Sequence, residues 1–245
     1  MPGSTTSATA TRVLRQLRRD RRTVAMLLMI PTGLLTLVRY AFDARPEVFQ
    51  RVGLPLIGVF PLVSMFLVAS IAMLRERRSG TLERLMSLPT TKLGLVAGYA
   101  TAFAAVAVAQ TGVVLSMGVV LLDLEVAGPM WLAVIVAVAN ALLGMALGLL
   151  LSAFAHTEFQ AIQFMPAFLL PQFLLCGLLV DRHAMARPLE VISAVLPLTF
   201  AYDALRWVAD RGGVSNEVLV DLAVTAIMAL GALAAGALTL KRRSP

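Results

Sequence analysis

Two histidines, one cysteine and fourteen carboxylates are the chief groups in this 245-residue sequence able to move protons, attack carbonyls or hold metals. Their spacing argues against such chemistry. His156 and His183 are not joined by an H-E-x-x-H motif, and Ser116 has the trailing glycine of G-x-S-x-G while Val114 stands where the leading one belongs. Neither Lys92 nor Lys241 follows a glycine, and no G-x-x-x-x-G-K-[ST] loop is present to cradle nucleotide phosphates. Cys176 lies in an apolar run without a second cysteine to pair with, which rules out an internal disulfide and predicts an unreactive thiol. The chain is therefore not expected to be an enzyme by itself, nor to hold a metal or cofactor. The polar residues that stand out instead are Gln110, Asn140, Gln163, Gln172 and Asp221, at or within long apolar runs. There an unpaired polar group is costly, so the amides are expected to hydrogen-bond between helices, and Asp221 to sit near an interface.

The elements that position these residues follow from composition. With 59% hydrophobic residues the chain exceeds what a water-facing surface permits, and its natural solvent is a bilayer. The net charge of +7 gathers beside apolar runs without stacking aromatics between, unlike a nucleic-acid face. Apolar runs over 23–42, 52–74, 93–122, 130–155, 159–180 and 218–240 each approach the roughly 20 residues that cross a hydrocarbon core about 30 Å thick. The expectation is an all-α integral membrane protein of six transmembrane helices, with residues 23–240 as a single transmembrane domain.

Charge placement orients the spans. Arg12, Arg15, Arg18, Arg19, Arg21 and Arg22, then Arg75, Arg77, Arg78, Arg84 and Lys92, then Lys241, Arg242 and Arg243, fall on one side. Only Arg39, Arg45, Arg51, Arg182, Arg187, Arg206 and Arg211 fall on the other, so the positive-inside rule places both termini in the cytoplasm. No A-x-A site follows Val38, and the first span is read as retained. Residues 1–22 form a cytoplasmic tail in which Val13, Leu14 and Leu17 share a face opposite arginines. That pattern suits an amphipathic helix on the anionic inner leaflet or, alternatively, a basic tail; Met1 to Thr11, rich in Ser, Thr and Ala, reads as disordered. Residues 241–245 form a second cytoplasmic tail.

Between the second and third runs, Ser79 or Thr81 can cap a short helix ended by Pro89, with Glu83 in its positive first turn. Leu82, Leu85 and Met86 give it one apolar stripe that the cytosol cannot leave bare; it either rests on the membrane surface or docks into a protein groove. The stretch Glu76-Arg77-Arg78-Ser79-Gly80-Thr81-Leu82-Glu83, followed by Leu85 and Pro89, resembles the cytoplasmic signature of the type-2 permease family of ATP-binding-cassette exporters. Leu88 departs from the threonine often found before that proline. On the opposite side, Pro188 and the run from Pro197 through Tyr202 to Arg206 are similar to the family's stretch before its last span. The apolar spacing there suggests two short helices divided at Pro197, partly sunk into the outer leaflet as a re-entrant segment.

The resemblance implies a coupling helix that inserts into a nucleotide-binding ATPase subunit, with Glu76, Gly80, Thr81, Leu82, Glu83, Leu85, Met86 and Pro89 carrying nucleotide-driven closure to the membrane helices. It implies ATP and Mg on the partner ATPase subunits, a homodimer or a heterodimer with a sister permease, and efflux of a drug, antibiotic or lipid across a prokaryotic plasma membrane. Polysaccharide cargo also occurs in the family. Pro166 and Pro171 should kink the fifth span beside a cavity, which makes Phe60, Met65 and Phe66 with Phe164, Met165, Phe168 and Phe173 the candidate path for a lipophilic cargo. An ion-coupled secondary transporter is the rival reading, and a nonenzymatic membrane scaffold a weaker one. The first would normally carry more charge deep in the membrane or paired broken helices.

Overall fold

The computed structural model describes residues 2–79 and 92–239. Among these the chain is helical throughout: α1 (Pro2–Arg19), α2 (Arg21–Ala41), α3 (Pro46–Arg78), α4 (Lys92–Leu121), α5 (Met130–Leu151), α6 (Glu158–Leu175), a 3-10 turn (Arg182–Ala184), α7 (Arg187–Ser193), α8 (Pro197–Asp210) and α9 (Asn216–Thr239).

α3 is the pillar of the bundle. Pro46 opens it, Glu47 complements its positive end, and Arg75, Arg77 and Arg78 complement its negative end. Its 33 residues reach beyond the expected 52–74 at both ends, and at about 1.5 Å per residue it is longer than the hydrocarbon core is thick. α5 packs closely along it because Gly144 and Gly148 carry no Cβ, which would collide with the carbonyls of Leu62 and Phe66. One turn away, Asn140 Nδ2 donates to the Gly58 carbonyl at 3.2 Å on the same face. α9 lies against the other side of α5, with Gly236 beside Leu150.

Among the described residues five helices are long and apolar enough to cross a membrane: α2, α3, α4 from Gly94, α5 and α9. α2 and α9 bury little, turning Met26, Met29, Ile30, Leu34 and Leu37, and Leu219, Val220, Ile227 and Leu230, outward. Exposed apolar faces of that extent are what lipid covers. The fifth expected span, 159–180, is the clearest departure. α6 stops at Leu175, since Gly177 takes φ +103° and turns the chain, and its glutamines and two prolines leave it short of the other five in apolar character. α7 and α8 meet at an 81° bend, where Pro197 begins the second helix as the sequence suggested.

The amino-terminal residues also depart from expectation. Instead of disorder up to Thr11, α1 runs unbroken from Pro2 to Arg19. Thr6, Thr9, Ala10, Val13 and Leu17 recur at helical spacing and pack on α4, where a Cβ at Gly98 would lie 2.9 Å from the Thr6 carbonyl oxygen. α1 thus spends its apolar face on protein. Asp20 then ends α1 and caps α2, accepting from the Thr23 amide at 3.1 Å and its hydroxyl at 2.7 Å.

Candidate functional site

The arginine-rich end of the bundle is where α3 delivers the family-like segment. Glu76 lies in the last turn of α3 with its side chain only 14% exposed, and Arg12 of α1 donates to its Oε1 at 2.9 Å. The same Arg12 nitrogen lies 3.4 Å from the hydroxyl of buried Tyr99 on α4. One residue earlier Arg75 grips Glu158, the first residue of α6, donating through Nε at 2.8 Å and Nη2 at 3.0 Å. Thr157 caps α6 by accepting from the Gln160 amide at 3.2 Å. The hydroxyl and amide of Thr23 hold the Asp20 carboxyl below the usual carboxylate range. Gly80, Thr81, Leu82, Glu83, Leu85, Met86 and Pro89 lie outside the described residues, so Glu76 alone of the coupling set has a described environment.

At the opposite end the connections are clasped together. Arg51 of α3 and Arg206 of α8 both reach Asp181, at 2.5 Å and 3.5 Å. Arg206 also donates to the Tyr202 hydroxyl at 3.0 Å, and Arg182 pairs with Asp203 at 2.7 Å. Tyr202 is buried beneath Gly177, while Pro188 and Pro197 sit in the first turns of α7 and α8. The α4–α5 connection braces α8, its Ala127 and Gly128 amides donating to the carbonyls of Ala209 and Val208 at 3.1 and 2.9 Å. Sequence reasoning missed Arg51 and Asp181 as partners, because 130 residues separate them.

Between the ends, three of the four in-run amides bridge helices. Gln110 Nε2 donates to the Leu27 carbonyl and to Ser64 Oγ, each at 3.0 Å. Asn140 holds α3, and Gln172 Oε1 accepts from the Leu198 amide at 3.3 Å, capping the start of α8. Gln163 is exposed on α6.

The candidate path residues do not assemble into one lining. Met65 and Phe66 are 0% exposed and pack in two different parts of the core. Neither presents surface to a cargo in this conformation, because α3 is surrounded by its neighbours. Phe60 is half-buried in a third group, Phe164, Met165 and Phe173 are half-buried against the cluster around Phe66, and Phe168 is 38% exposed on α6. The bundle holds no group of three metal-ligating side chains among the described residues. What it does show is a bundle of apolar helices tied together by buried amides.

Comparison with known proteins gives the same direction. The family model for the ABC-2 type transporter matches residues 5–209. Over 143 residues the chain is 29% identical to the probable multidrug ABC transporter permease YbhR of Escherichia coli K12, covering 58% of this chain and 39% of that protein. It is 25% identical over 145 residues to ABC transporter G family member 20 of Dictyostelium discoideum, covering 59% of this chain and 20% of that protein. The matched region thus takes in two fifths or less of these curated relatives. A match through most of the chain, from α1 to the last turn of α8, takes in both stretches that carried the resemblance, and the chain belongs to the ABC-2 type transporter family.

Proposed function

We propose that this chain is the membrane-spanning permease subunit of an ATP-binding-cassette exporter, moving a lipophilic cargo outward with ATP hydrolysed on separate nucleotide-binding subunits. The observation that carries the reading is the position of Glu76. It opens the family-like segment and ends α3, the helix against which α5, α8, α6, α4 and α2 all rest. Work delivered at 76–89 enters the bundle at its most connected element.

In this reading α2, α3, α4, α5, α6 and α9 make six crossings, with α7 and α8 as a re-entrant hairpin on the outer side. Successive helices support it by alternating ends: Arg39 of α2 reaches the Leu122 carbonyl, Arg75 reaches Glu158, and Gln50 reaches the Asp123 carbonyl. The 18 residues of α6 span about 27 Å, close to a hydrocarbon core. The arginine-rich end faces the cytoplasm of a prokaryotic plasma membrane, and both termini lie there. A second copy or a sister chain completes twelve spans, and two ATPase subunits carry ATP and Mg. Drugs, antibiotics and lipids are the cargo class, in keeping with the multidrug permease among the relatives, and Phe164, Met165, Phe168 and Phe173 on α6 are the residues to probe for contact.

The test is reconstitution with a Walker-loop ATPase. Export should need ATP and that subunit, and Leu82→Ala or Glu83→Ala should leave hydrolysis but lower export per ATP. Export that follows a proton gradient without any ATPase would replace this reading with secondary transport.

A further inference from the structure

α8 is held differently at its two ends. Its last turn is locked backbone to backbone on the connection between α4 and α5: the Ala127 and Gly128 amides donate to the carbonyls of Ala209 and Val208, and a Cβ on Gly128 would lie 2.7 Å from the Val208 oxygen. Gly212, at φ +63°, closes the same contact, since a Cβ there would lie 2.8 Å from the Ala127 oxygen. That connection is itself fastened. Gln50 of α3 donates to the Asp123 carbonyl at 2.7 Å and accepts from the Glu125 amide at 2.9 Å, while buried Leu124 fits against Gly53 and Gly118, where no side chain stands in the way. None of these contacts depends on charge.

The first turn of α8 has no such anchor. Leu196, the residue before it, supplies no side-chain cap, and the Leu198 amide is served instead by Oε1 of Gln172 on α6, 3.3 Å away. Gln172 in turn donates to the Phe168 carbonyl of its own helix at 3.2 Å. Packing divides along the same line. Leu198, Ala201 and Tyr202 share a core with Leu169 of α6 and Leu178 just beyond it, whereas Ala204, Leu205 and Val208 share one with Leu115, Leu124 and Leu132 on the α4–α5 side. The ion pairs near the middle of α8, Arg182 with Asp203 and Arg206 with Asp181, leave every partner at least 30% exposed and hold little.

We propose that α8 is a lever whose fixed end is 208–212, and that Gln172 is the positioning residue through which α6, weakened at Pro166 and Pro171, carries residues 197–203 when the outer end opens. The inference rests on the permease reading and goes beyond it in naming which part of the outer hairpin moves and which part stays. Hydrogen exchange tests it, in the full-length chain with its ATPase in lipid nanodiscs, at rest and trapped with ATP and orthovanadate. Trapping should raise exchange over 198–203 about fivefold or more and leave 208–211 within about twofold of rest. Gln172→Met conserves volume and removes the acceptor. In that variant ATP hydrolysis should continue, but trapping should no longer raise exchange at 200–203, whose amides the lost bond does not touch. Gly128→Leu, which wedges the connection away from α8, should set both ends moving, so that trapping raises 208–211 as much as 200–203.

No rise at 198–203 in a trapped native complex, equal rises at both ends, or a rise led by 208–211 would overturn the lever. A trapped rise at 200–203 that survives Gln172→Met would leave Gln172 a helix cap alone and overturn its role. Protection of 208–211 that survives Gly128→Leu would overturn the anchor. In each of these cases ATP-dependent export leaves the permease reading standing. Export by the native complex without ATP would sink that reading, and the lever's task with it.

Discussion

Pro31 has no amide hydrogen, so the Leu27 carbonyl one turn earlier in α2 loses its helical partner, and the Gln110 side chain of α4 supplies one at 3.0 Å. That accounts for a buried amide among apolar neighbours. Gln110→Leu is expected to destabilise the protein by about 0.6–1.7 kcal/mol, the scale of single hydrogen bonds between membrane helices. Pro31→Ala should shrink that cost by returning an amide to Leu27, a coupling that thermal unfolding of the single and double variants reads directly. Asp20 offers a pH test outside the spans. Its folded pKa is depressed, chiefly by the Thr23 hydroxyl and amide. The cap is therefore present above the unfolded value near 3.9 and weakens as pH falls through the folded value. Asp20→Ala should speed Thr23 amide exchange at pH 7 and converge with native as the pH falls through the folded value; Asp20→Asn, which keeps an acceptor, should differ little at any pH. Residue type alone foretold the bridging by Gln110, Asn140 and Gln172, and misled for Gln163, which is exposed. It could not foretell which group each would serve, because for Gln110 that depends on where a distant proline breaks a ladder.

Among the elements, the apolar runs gave the helices to within a few residues for α4 and α9, where a long uninterrupted stretch leaves no alternative. α3 outgrew its run because charged residues at either end continue the helix in water and complement its dipole. α6 fell short although apolar residues continue to Val180, since one glycine at positive φ outweighs them. α1 misled for a different reason: Ser, Thr and Ala resemble a disordered composition, yet as a stripe they let backbones approach, and Gly98 is the surface that receives them. The same physics predicts which glycines matter. Gly144→Leu should cost about 1–3 kcal/mol or more by forcing α5 off α3. Gly33→Ala, where nothing lies within 4 Å of the new Cβ, should be neutral or stabilise by up to about 1 kcal/mol. Thermal melts of the two variants in one detergent decide it. The path residues were legible only as a type. Met and Phe at helical spacing read alike whether they face cargo, lipid or core, and burial sorted Met65 and Phe66 into the core.

For the whole molecule, the two ends differ in what they join. One gathers α1, the last turn of α3 and the start of α6 around Arg12, Arg75, Glu76 and Glu158; the other gathers the start of α3, the link after α6 with its 3-10 turn, and α8 around Arg51, Asp181, Arg182, Asp203 and Arg206. Family membership was legible from two short motifs because each lies at one of these ends, while the helices between are interchangeable apolar sequence. A topology experiment follows: cysteines at Ser79 and at Arg187 should be labelled by an impermeant reagent from opposite sides of the membrane, Ser79 from the cytoplasm. The central claim, that nucleotide-driven work enters at 76–89, is tested most directly by a photo-crosslinking residue at Leu82 or Leu85 in the ATPase-bound complex during turnover. The account predicts an adduct with the ATPase at both positions and none at Val191 or Val195 on α7 and its end. An ATP-hydrolysing complex with no adduct at Leu82 and Leu85, or with adducts at Val191 or Val195 instead, would contradict it.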